Sequence, residues 1–150
     1  TDRFTVRISM GYPDFDAECQ MLLNRSKQNP LDNVKQVITV DELIDIQSKV
    51  KEVFVSEDMA KYIVMLVTAT RQSSLFSRGA SPRATLSLKD MAKAAAFADG
   101  RDYIVPRDIQ NIFVRTISHR VILSSESTAK RINTDSALKE ILRTTRQPKI

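Results

Sequence analysis

The sequence predicts a mostly α fold, a small helical bundle accompanied by one N-terminal strand, and three features carry that prediction. Met59, Tyr62, Ile63, Leu66, Val67 and Thr70 recur at helical spacing, so they line one face of a helix. Start and stop signals punctuate the chain: Ser56 ahead of Glu57 and Asp58, Ser81-Pro82, Pro106, and Gly100 as a terminator. The stretch Phe-Thr-Val-Arg-Ile-Ser-Met, Phe4 to Met10, alternates with a period of two but has no second strand near it.

A lone strand is not independently stable. Phe4 to Met10 is therefore expected to be orphaned from an absent core sheet whose other strands lie outside this sequence, and the chain to be truncated at its N-terminus. Gly11-Tyr12-Pro13 breaks the alternation and forms a natural joint. Asp14 then opens a helix with Phe15, Cys19, Leu22 and Leu23 on one face, ending near Asn29-Pro30. Leu31 to Ile38 has no clear period. Val40, Leu43, Ile44, Gln47, Val50 and Phe54 fall at helical spacing and predict a second helix over about Asp41 to Glu52.

The next helix is capped by Ser56 and carries the face from Met59 to Thr70; the polar, serine-rich run from Arg71 to Gly79 follows it as a loop. From Pro82 a helix runs through Leu86, Leu88, Met91, Ala92, Ala95 and Ala96 to Asp99, and its small residues allow close helix packing. Arg101 to Val105 is extended, because a residue before proline disfavours helix. Pro106 opens a helix with Ile109, Ile112, Phe113, Thr116, Ile117 and Val121 inward. Ser124 to Asn133 is polar, and Asp135 to Arg143 predicts a terminal helix using Leu138, Ile141 and Leu142.

With 150 residues, 42% hydrophobic and 27% charged, the chain has ordinary globular composition, and no apolar run approaches the length of a membrane span. The charged Thr-Asp-Arg-Phe start lacks the apolar core of a signal peptide, so the expected compartment is the cytoplasm. The single cysteine, Cys19, cannot form an internal disulfide and is expected in the core; with the single histidine, His119, it makes no metal cluster, and no metal site is expected. The net charge of +5 comes from the segment beginning at Arg115, which has eight basic and three acidic residues.

Gly79-Ala80-Ser81-Pro82-Arg83-Ala84 is the candidate site. Ser81 is placed to cap the helix with its hydroxyl, and Pro82 sits at the first helical position, where its missing N–H costs nothing. Arg83 then lies in the first turn, where the helix dipole is positive and a cation is out of place unless an anion shares the site. Exposed N–H groups and a guanidinium together make a two-part phosphate clamp. The alternative from these residues is an ordinary cap followed by a solvated arginine. The three glycines exclude a Walker A loop, one histidine and one cysteine offer no catalytic triad, and the carboxylates at Asp14/Asp16 and Glu57/Asp58 are explained by capping. The chain carries no complete active site.

The run from Gly79 to Ala84, the helix to Gly100, the stretch Arg-Asp-Tyr-Ile-Val-Pro-Arg-Asp-Ile from Arg101 to Ile109, and Ser118-His119-Arg120 resemble the C-terminal lid of the MoxR family of AAA+ ATPases. Asp2-Arg3-Phe4, Arg7-Ile8 and Gly11-Tyr12-Pro13 resemble that family's last core strand and its linker. The resemblance implies a division into residues 1–12 (end of the AAA+ core), 13–123 (helical lid) and 124–150 (basic tail with a possible terminal helix). It implies that Arg83 is the sensor-2 arginine, contacting the γ-phosphate of ATP held by its own subunit. Arg3 would be an arginine finger toward the ATP of a neighbouring subunit in a ring, and Tyr12 and Pro13 would lie at the hinge beside adenine. Walker A, the Mg²⁺-binding acids and sensor 1 would belong to an AAA+ core upstream of Thr1. This segment alone is then expected to bind no ATP or Mg²⁺ and to be inactive. The work implied is chaperone-like remodelling or metal insertion on an unknown protein client. A rival from another class is a helical nucleic-acid-binding module using the basic C-terminal segment. Against it, no aromatic follows Phe113 to interleave with the basic residues.

Overall fold

In the computed structural model, which describes residues 3–25 and 30–148, helices open where the sequence carries start signals. Asp14 accepts from the Ala17 N–H at 2.8 Å and starts α1, Phe15–Arg25. Pro30–Asn33 forms a single 3₁₀ turn. A full capping box starts α2, Val40–Glu52: Glu42 accepts from the Thr39 N–H at 2.7 Å, and the Thr39 hydroxyl accepts from the Glu42 N–H at 3.2 Å. Ser56 caps α3, Glu57–Gln72, by accepting from the Met59 N–H at 3.3 Å. The remaining helices are α4, Pro82–Ala98; α5, Pro106–Ile117; the short α6, Ser125–Ala129; and α7, Thr134–Thr144, capped by Asn133.

The chain falls into two compact units. One comprises the start of the chain through Arg7 together with everything from Ser48 onward; the other is Ile8–Gln47. In the larger unit α4 packs mainly on α5, α3 on α4, and α7 on both α5 and α3. All six residues of the α3 face predicted from spacing are buried. They meet Ala84, Leu88, Ala92 and Ala96 of α4, and Ile109, Phe113 and Ile117 of α5, in one core. The stripe of small residues on α4 is what lets its backbone come close to its neighbours. Ala137, Leu138 and Ile141 of α7 belong to the same core, so the basic C-terminal segment is not a loose tail.

Four expectations change. Phe4 to Met10 forms no strand, because no ladder partner exists for it among the described residues; there its one backbone-to-backbone bond to the rest of the larger unit is the Arg7 N–H donating to the Arg115 carbonyl at 2.9 Å. The loop from Arg71 to Gly79 contains β1, Phe76–Arg78, which pairs antiparallel with β2, Ile122–Leu123, through an irregular register. Cys19 is half-buried rather than core, and Phe15, Leu22 and Leu23 on the same helix are exposed. α2 has no buried residue, so the face from Val40 to Phe54 is not a core face either. A segment as short as Ile8–Gln47 lacks the mass to enclose an apolar centre of its own.

Candidate functional site

The start of α4 is fixed by the end of α3. The Thr70 hydroxyl, itself donating to the Val67 carbonyl at 2.6 Å, accepts from the Ala80 N–H at 3.0 Å. Arg71 Nε returns a bond to the Ala80 carbonyl at 2.7 Å. Both backbone groups of Ala80, which is buried, are thereby satisfied by adjacent residues of one helix. The residues that follow leave this anchor in a set direction.

Ser81 occupies the N-cap position and Pro82 the first helical position, as the sequence predicts, but the Ser81 side chain makes no capping bond. Pro82 has no N–H to offer, and the Ala84 N–H bonds back to the Ser81 carbonyl at 2.9 Å. The backbone half of the expected phosphate clamp therefore shrinks to the Arg83 N–H, and the guanidinium and helix dipole carry the rest. Arg83 is exposed, with no hydrogen bond or ion pair among the described residues. No acid stands in the first turn of α4, whereas α2, α3, α5 and α7 each carry at least one there. The positive end of this helix is left with a cation and no internal counter-charge.

At its other end α4 is held by an ion pair. Gly100 ends the helix at φ +74°, and Arg101 then forks onto Asp108 of α5 through Nη1 at 2.8 Å and Nη2 at 2.5 Å. The same carboxylate accepts from the Val105 N–H at 2.8 Å. The Arg101 guanidinium is pushed above its usual range, first by the bond to Asp108, so it stays charged throughout. The sequence marks both residues only as parts of a motif; the pairing needs the fold.

Arg3 is exposed at the head of the N-terminal segment. The carbonyl of the next residue, Phe4, accepts from Nη2 of the buried Arg120 at 2.6 Å, and Nε2 of His119 lies 2.8 Å from it. Arg120 Nη2 also donates to Ser87 Oγ on α4 at 3.0 Å. Arg3 and Arg83 thus belong to the same unit. Tyr12 is 98% exposed and Pro13 is exposed; both lie in the smaller unit, beside Gly11 at φ +70°.

Residues 68–141 match the AAA lid domain family. The chain is 33% identical over 147 residues to the uncharacterized protein YeaC of Bacillus subtilis, a match covering 98% of this chain and 46% of that protein. It is 28% identical over 158 residues to Chaperone MoxR1 of Mycobacterium tuberculosis, covering 99% of this chain and 41% of that protein. The crystal structure of a candidate ATPase from Cytophaga hutchinsonii superposes with a TM-score of 0.87 at 33% identity, over 99% of this chain and 48% of that one. Residues 68–141 are matched as an AAA lid domain, in a chain similar along nearly its whole length to a MoxR protein. The chain spans less than half the length of the curated relatives it matches.

Three of the eight basic residues from Arg115 onward are engaged within the fold. Lys130 pairs with Glu126 and Arg143 with Glu140, while Arg120 is buried. Among the described residues no cluster of His, Cys, Asp and Glu could hold a metal, and no helix is long and apolar enough to cross a membrane. Arg120 and Asp108 are the two residues whose positioning roles the sequence did not reveal. The signal available was a charged residue one step from core positions, Ile109 beside Asp108 and Val121 beside Arg120.

Proposed function

We propose that this lid works in a ring-forming MoxR-type ATPase, where Arg83 senses the γ-phosphate of ATP held by an attached AAA+ core of the same subunit. The observation that carries the reading is the exposed, unpaired Arg83 in a first turn without acids, on a helix start locked to α3. Such a group fits a phosphate: it brings a planar fork and a positive helix end and has no internal anion to displace. ATP with Mg²⁺ supplies phosphoryl transfer, which is catalysed mostly by positioning and charge stabilisation. The Mg²⁺ would be held by acids of the core, since no acidic cluster suited to it occurs among the described residues of this chain. An arginine arriving on a movable lid links nucleotide state to lid angle.

Arg3 serves, on this reading, as a finger toward the ATP of the neighbouring subunit. Tyr12 and Pro13 form the hinge, with the exposed ring of Tyr12 available to stack on adenine. The ring performs remodelling of a client protein, metal insertion being one form of it, in the cytoplasm.

The test is ATP turnover by the full-length protein. Arg83→Ala and Arg3→Ala are each expected to lose at least about tenfold, on the order of 1.4 kcal/mol of transition-state stabilisation. Mixing the two variants restores part of the activity, because a mixed ring contains interfaces where both arginines are present. Full turnover by Arg83→Ala rejects the sensor assignment, and absence of recovery on mixing rejects a finger acting across subunits.

A further inference from the structure

The segment that carries Arg3 and the helix that carries Arg83 share one buried tie. Arg120 is 5% exposed, and a single nitrogen, Nη2, donates to both the Phe4 carbonyl and the Ser87 hydroxyl. Phe4 follows Arg3 in the chain. Ser87 lies four residues beyond Arg83 on α4, one turn along the same side. His119 Nε2 supports the same carbonyl, and the Arg7 N–H bond to Arg115 continues the attachment toward Ile8.

The choice of side chain is informative. Position 120 adjoins the core residues Ile117 and Val121, and a cation buried there is costly unless it is well bonded. A guanidinium repays that cost through several donors fixed in one plane, and its bonds are short because they are charge-assisted. An ammonium would be a point donor without the same fixed fork.

We propose that Arg120 is a positioning residue that couples the Arg3 segment to α4 across the Tyr12–Pro13 hinge. This rests on the roles given above to Arg3 and Arg83, and it adds the link between them. When α4 tilts about that hinge as Arg83 gains or loses its phosphate, the tie draws on the Phe4 carbonyl instead of letting the hinge absorb the whole motion. Arg3 then advances or retreats from the neighbouring subunit, so that one site's nucleotide state sets the next site's finger.

Two readouts on the full-length protein test this. In hydrogen exchange without nucleotide, Arg120→Met is expected to speed exchange of the Arg7 amide by about tenfold or more relative to the Leu66 and Val67 amides of α3. An unchanged Arg7 rate, or one that rises only in step with α3, overturns the tie. In ATP turnover, the loss caused by Arg120→Met is expected to shrink to less than about twofold on an Arg3→Ala background. Equal losses on both backgrounds overturn the proposal. If Arg3→Ala alone costs nothing, the finger role of Arg3 fails, while hydrogen exchange still decides the tie. Should Arg120→Met not fold, Ser87→Ala removes one of the two bonds without stranding a charge, and Arg7 exchange is expected to rise at least about threefold over α3.

Discussion

Gly79 passes so close to Arg71 that a Cβ added to it would lie 2.6 Å from both the Cα and the backbone nitrogen of Arg71. These are backbone atoms, so no side-chain rotation relieves the clash. The loop before α4 can lie against α3 only because this position has no side chain. Gly79→Ala is expected to destabilise the fold by about 1–3 kcal/mol, the usual cost of forcing atoms into a packed site. Thermal melting of the variant checks this, and an unchanged midpoint would mean that the loop is not held against α3.

Asp108→Ala removes the acceptor of the Val105 N–H and both acceptors of the Arg101 fork. Loss of the cap-like bond alone is worth about 0.5–2 kcal/mol, and Arg101 is left with Asp99 and the Tyr103 carbonyl as its partners. Melting should register a decrease at neutral pH. The Arg101 amide, now bonded to the Ala96 carbonyl, should exchange faster as the turn between α4 and α5 loosens.

Leu138 of α7 is fully buried. Leu138→Ala is expected to cost about 2–5 kcal/mol, whereas Val64→Ala at an exposed position of α3 should stay within about 0.5 kcal/mol. Denaturant unfolding separates the two. Equal, small effects would make α7 an appendage rather than part of the core.

The bond from Lys130 holds the Glu126 carboxyl below its ordinary value, and the bond from Arg143 does the same for Glu140. A carboxyl lowered in the folded state stabilises above its unfolded value, and the contribution disappears as pH falls through the lowered folded value. These groups are exposed and screened, so the effect is local. Carboxyl titration by NMR should find both midpoints below about 4.3, the ordinary glutamate value. Lys130→Ala should return that of Glu126 to it, and an unmoved midpoint would show that the pair does not form in solution.

The helices were legible because their signals are local and repeated. Every residue of the α3 face was identified from spacing alone, and Asp14, Ser56, Pro82, Pro106 and Gly100 mark real boundaries. The β1–β2 ribbon was not legible, since strands as short as Phe76–Arg78 and Ile122–Leu123 show no period and their pairing is decided far along the chain. The period-two pattern of Phe4 to Met10 is real, but alternation describes what a strand buries, and a ladder needs a partner. Apolar faces on α1 and α2 misled for a related reason: helical spacing shows amphipathicity without saying what covers it. At the site, the place of Arg83 in a first turn was readable. The loss of the Ser81 cap bond and the bond of the Ala84 N–H to Ser81 were not, because both depend on how tightly the turn closes.

The most direct measurement is nucleotide affinity of the full-length protein, comparing a non-hydrolysable ATP analogue with ADP in wild type and in Arg83→Ala. Contact with the γ-phosphate predicts that the variant loses at least about tenfold in affinity for the analogue, on the order of 1.4 kcal/mol, while ADP affinity stays within about twofold. Equal losses for both nucleotides, or none for either, would contradict the assignment of Arg83 as a sensor of the γ-phosphate.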